Sequence, residues 1–77
     1  MHAEQLVQMV NDISAFFAPQ FPEAEAAAEV AGHLKRQWEK RMRLQIVEIL
    51  NSGEGAFSPV GRAAIALLAA EATRPAG

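Results

Sequence analysis

The chain has 77 residues, with seven Lys and Arg against nine Asp and Glu, a net charge of −2, 51% hydrophobic residues and no cysteine. A chain this short forms one small domain with a narrow stability margin, and the lack of cysteine excludes a disulfide framework and a Cys-ligated zinc site. The mildly acidic balance argues against general affinity for nucleic acid but leaves room for a local basic stripe.

The N-terminal stretch MHAEQLVQMVND lacks the cationic and uninterrupted apolar regions of a secretory signal. The longest later apolar run, residues 63–70, is far shorter than the ~20 residues of a membrane span. A cytoplasmic chain with no membrane association is the expectation. Leu6, Met9, Val10, Ile13, Phe16 and Phe17 then recur with the helical period and predict a first helix with one face committed to burial. Phe16 and Phe17 are adjacent, so both cannot point the same way; one is expected to face out or to fill a partner's pocket unless another helix covers it. Pro19 and Pro22 stop this helix. Pro22 also opens the next, with Glu23 and Glu25 at its positive end and a run of alanines favouring helix.

In the second helix Ala27, Ala31, Leu34 and Trp38 form one stripe, which continues through Met42, Ile46 and Ile49. Periodicity alone permits one helix over 22–50 or two helices broken near residues 38–40. Asn51, Ser52, Gly53, Glu54 and Gly55 make a helix C-terminus and loop. Ser58 followed by Pro59 reads as an N-cap and first helical position, starting a last helix with Val60, Ala64, Leu67 and Leu68 inward. No segment alternates with period two. The expected fold is all-α, a small bundle of three or four short helices, with residues 1–72 as one helical domain and 73–77 as a frayed tail.

Candidate chemistry is sparse. Glu29 and His33 are four residues apart and share a helical face, but no third metal ligand sits at a suitable spacing. Ser14, Ser52 and Ser58 lie in no nucleophile-elbow context, and Ser58 is explained by capping. The glycines of NSGEGAFSPVGR lack the Lys-Ser or Lys-Thr pair and preceding strand of a phosphate-binding loop. No carboxylate pair is singled out by an apolar setting. Catalytic, cofactor-binding and metal residues are therefore expected to be absent.

Residues 33–43, HLKRQWEKRMR, hold five of the seven Lys and Arg around the single tryptophan, Trp38. On one continuous helix Arg36, Lys40 and Arg43 would share a face. Such a segment is either a solvated face with Trp38 as a core anchor, or an aromatic hot spot ringed by cations that grip an acidic protein. A helix-turn-helix reader would want a more basic surface.

Three blocks, LVQMVNDISAFF, HLKRQWEKRMR and GEGAFSPVGRAAI, resemble in order the delta subunit of soluble NAD-dependent, molybdenum-containing formate dehydrogenases. The matching residues are Leu6, Val7, Met9, Phe16 and Phe17, then His33, Leu34, Lys35, Arg36 and Trp38, then Arg41, Met42 and Arg43. Members of that family commonly carry an aromatic residue before the Trp and a proline before Arg-Met-Arg, where this chain has Gln37 and Lys40. A continuous or kinked helix thereby gains plausibility, although the break is expected to persist. The resemblance implies a non-catalytic accessory subunit that assembles with, matures or stabilises the catalytic subunit. In such a complex the molybdenum pterin, iron-sulfur, flavin and NAD centres sit in other subunits. The expected partner interface is Trp38, Arg36, Arg41 and Arg43, with one of Phe16 and Phe17 adding apolar contact. The competing reading is a free-standing helical regulatory or nucleic-acid-binding module.

Overall fold

In a computed structural model the chain is described over residues 3–72; His2 and the tail expected at 73–77 lie outside the described residues. Four helices follow one another: α1 (Ala3–Phe17), α2 (Glu23–Gln37), α3 (Lys40–Asn51) and α4 (Pro59–Ala72), with no strand among the described residues. The all-α expectation holds at its four-helix limit, and the break near residues 38–40 is present.

Each boundary has a local cause. Beyond α1 the backbone closes a turn, Gln20 N–H donating to the Phe17 carbonyl at 2.9 Å, and Pro22 stands at the N-cap of α2, one position earlier than the first helical residue. Glu23 and Glu25 occupy the first turn of α2 and Lys35 and Arg36 the last, a charge order that complements the helix dipole. At the end of α3 the Ser52 N–H bonds the Glu48 carbonyl, and Gly53 turns the chain at φ 81°. Gly55 follows at φ 87°, and a Cβ there would lie 3.1 Å from Val7 and 3.2 Å from Ile49, so only glycine fits where the loop crosses the core. Ser58 caps α4 as expected: its Oγ accepts the Gly61 N–H at 3.1 Å.

The core is built from all four helices. Leu6 and Val10 of α1, Val30 and Leu34 of α2, Ile46 of α3 and Ile65 of α4 are fully enclosed. The helix α2 packs most extensively against α4, and its small buried positions Ala26, Ala27 and Ala31 let neighbouring helices approach closely. The stripe Ala27, Ala31, Leu34, Trp38, Ile46 and Ile49 is buried as predicted, with Met42 half-buried beside it.

Two expectations fail in the same way. Met9 was expected on the buried face of α1 and Leu67 on that of α4, yet both are exposed. The buried face of α1 is Leu6, Val7, Val10 and Ser14, which turns Met9 about 115° and Phe16 about 135° away from its centre. On α4 Gly61 and Ile65 take the place expected for Leu67. The cause is the α1–α4 crossing, where a Cβ on Gly61 would sit 3.2 Å from Ser14 Oγ and 3.2 Å from Asn11 Oδ1. Two residues that hydropathy scores as neutral or polar therefore face inward. Ser14 is satisfied there by donating its hydroxyl to the Val10 carbonyl at 2.7 Å.

Candidate functional site

The basic aromatic segment forms an elbow between α2 and α3. Trp38 (φ −97°, ψ 142°) and Glu39 (φ −65°, ψ 153°) are extended, so the helical path stops for two residues. Both ends stay hydrogen-bonded: Trp38 N–H donates to the Leu34 carbonyl at 2.9 Å, and Arg43 N–H to the Glu39 carbonyl at 3.1 Å. The indole of Trp38 is only 7% exposed and belongs to the core. Its burial pins the elbow.

Among the three arginines placed in the expected interface, Arg43 has a structural duty. Its Nη1 donates to the Lys35 carbonyl at 2.8 Å, so the first turn of α3 satisfies an otherwise open carbonyl in the last turn of α2. Arg36 is exposed and folds back along its own helix, its Nη1 3.2 Å from where a Gly32 Cβ would stand. Arg41 is exposed on α3. Of the three cations that one continuous helix would have aligned, Lys40 and Arg43 line one site and Arg36 does not.

Phe16 and Phe17 divide as anticipated. Phe16 is 65% exposed, whereas Phe17 is half-buried and packs on Phe21 and on His33, with ring centroids 6.4 Å apart in each case. The Phe16 and Phe17 rings pack edge to face with centroids 5.1 Å apart. Asp12, Ile13, Phe16, Phe17 and His33 line a shallow concavity on this side. His33 and Lys35 are two residues apart on α2, about 200° around the helix. Phe16 therefore lies on the opposite flank of α2 from Lys35.

The structure brings together Lys35, Lys40 and Arg43, beside Leu44, Val47 and Leu68, around a concave site of about 210 Å³ at the outer seam of α2, α3 and α4. Glu71 closes one side, bonded to Lys35 Nζ at 2.9 Å. Lys35 and Leu44 were not singled out from sequence as contact residues. The missing signal was the direction change at residues 38–39, which alone puts Lys40 and Leu44 next to Lys35.

The chemistry available is limited. Among the described residues no group of three or more His, Cys, Asp or Glu is placed to hold a metal ion. Chain-wide absence of cysteine leaves no thiolate for a cluster, so the donor set does not fit an iron-sulfur centre. The His33 ring packs against Phe17 in an edge arrangement. No helix among the described residues is long and apolar enough to cross a membrane.

The family model described as "NADH-dependant formate dehydrogenase delta subunit FdsD" matches residues 5–65 of the 77, from the first turn of α1 to the middle of α4. No curated protein and no solved structure matches the chain. With most of its length covered, the chain belongs to the formate dehydrogenase delta-subunit family.

Proposed function

We propose that this delta-subunit family member is a non-catalytic accessory subunit that binds the catalytic subunit of a formate dehydrogenase and assembles, matures or stabilises it. The molybdenum pterin, iron-sulfur, flavin and NAD chemistry belongs to the other subunits. The observation that carries the reading is the family match over residues 5–65, which spans the core and the elbow. Two features of the molecule support it. Among the described residues no clustered donors are placed for a metal, and large apolar side chains left exposed, Leu44 and Leu67, suit contact with protein.

Trp38 enters this reading as the residue that holds the elbow, and Arg36 and Arg41 as exposed cations for a partner's carboxylates. The test is affinity purification of the tagged full-length chain from its native cytoplasm, with the eluate assayed for formate-dependent NAD reduction. Recovery of a formate-oxidising complex is the expected result. A monodisperse chain without that activity would sink the accessory reading.

A further inference from the structure

The concave site beside Lys40 and Arg43 continues into a second one. Ala28, Ala31, Leu67 and Ala70 line the continuation, about 370 Å³ in volume, and the two meet at Lys35 and Glu71. Together they make one groove along the outer seam of α2, α3 and α4, with an ion pair across its middle. Leu44 at 45% exposure stands at one end and Leu67 at 43% at the other. Between Ala28 and Lys35 the groove follows α2 for roughly 10 Å, two helical turns. Ala28, Ala31 and Ala70 keep its floor low enough for a helix backbone to approach.

Charge says what would lie there. The groove is lined by Lys35, Lys40 and Arg43 against the single carboxylate of Glu71, on a chain whose net charge is −2. A cationic, apolar trough on an acidic protein is complementary to an acidic amphipathic helix. Apolar side chains at i, i+3 or i+4 and i+7 would meet Leu67, Val47 and Leu44, with carboxylates on the flank over Lys40 and Lys35. We infer that this groove seats an acidic amphipathic helix of the partner subunit. This rests on the accessory-subunit reading and narrows it to one face and one ligand chemistry. The Lys35–Glu71 pair is an internal competitor: both side chains are exposed, and an exposed pair holds so weakly that a partner carboxylate displaces Glu71 at little cost.

The test uses the formate dehydrogenase complex assembled without this chain, titrated with the full-length chain and single variants whose helicity and unfolding midpoint match the parent. Leu67→Asp, Leu44→Asp and Lys40→Glu are each expected to weaken binding by about tenfold or more, since each sets an apolar or cationic contact against its opposite. Glu71→Gln, which frees Lys35, is expected to tighten it by about two- to fivefold. Phe16→Asp, on the other flank of α2, is expected to change it less than about twofold. A photo-crosslinker at position 67 is expected to label an acidic helical segment of the partner.

Parent-like affinity in all the groove variants, with the parent chain still binding, would overturn the groove and leave the accessory role standing. Loss confined to Phe16→Asp would move the interface to α1. Groove variants that abolish only self-association would make the occupant a second copy, and labelling of a basic or non-helical segment would reject the ligand chemistry. Failure of the parent chain to bind the complex would overturn the accessory reading itself.

Discussion

At the residue scale, single side chains are irreplaceable where the chain changes direction. Trp38 is buried at the elbow and is the only tryptophan, so truncation both empties core volume and frees two helix ends. Trp38→Ala is expected to cost about 3–5 kcal/mol, read as a lower urea midpoint by circular dichroism. In the parent, indole emission should shift to longer wavelength through the same transition. Loss of partner binding by Trp38→Ala would then follow from unfolding, and only exposed residues report on contact. The two loop glycines make a sharper comparison. Gly53 and Gly55 share positive φ, but a Cβ at Gly53 meets nothing within 4 Å, whereas at Gly55 it meets Phe57 at 3.0 Å, Val7 at 3.1 Å and Ile49 at 3.2 Å. Gly53→Ala should cost about 1–2 kcal/mol, the price of the left-handed backbone alone. Gly55→Ala should cost about 1–3 kcal/mol more, because the core must also yield. Equal costs for the two would contradict the packing described around Gly55.

At the scale of elements, the break between α2 and α3 shows what a sequence carries and what it leaves open. The apolar stripe from Ala27 to Ile49 keeps helical steps across residues 38–39, so periodicity could not distinguish one helix from two. Trp38 and Glu39 nevertheless adopt the extended angles that a residue before proline requires, although residue 40 is a lysine. The buried indole and the Arg43–Lys35 bond hold the geometry instead. Lys40 is the first residue of α3, where an N–H has no intrahelical partner and proline is favoured. Lys40→Pro is therefore expected to stabilise the chain by about 0.4–1 kcal/mol, seen as a raised unfolding midpoint with unchanged helicity; marked destabilisation would mean that the elbow is not where it is drawn. The helix boundaries outside the elbow, the caps and most of the core were legible because proline, glycine and Ser58 punctuate the chain. The faces of α1 and α4 were misjudged by part of a turn, because Ser14 and Gly61 mark the crossing with close approach and a hydrogen bond, neither of which a hydropathy pattern registers. The candidate site was half legible for a related reason: composition located the cations, but only the elbow decides which of them converge.

At the scale of the whole molecule, size and packing set the terms for binding. The radius of gyration is 11.5 Å, matching the roughly 11–12 Å expected for a folded chain of this length. The core is shared among all four helices, so the chain meets a partner as a preformed surface. Little ordering cost is then left for association. Such a small domain has little stability of its own, and a partner that binds only the folded form adds to it by mass action. With the partner at about 100 times Kd, the gain is about 2.7 kcal/mol. For a domain of 60–100 residues that raises Tm by about 10–20 °C. The measurement is thermal unfolding of a labelled chain, alone and with saturating delta-free complex, at low and at high salt. The shift should shrink at high salt, because the cations of Lys35, Lys40 and Arg43 meet the partner at an exposed seam where ions screen them. A shift that is large and indifferent to salt would assign the binding energy to apolar contact alone and remove charge from the account.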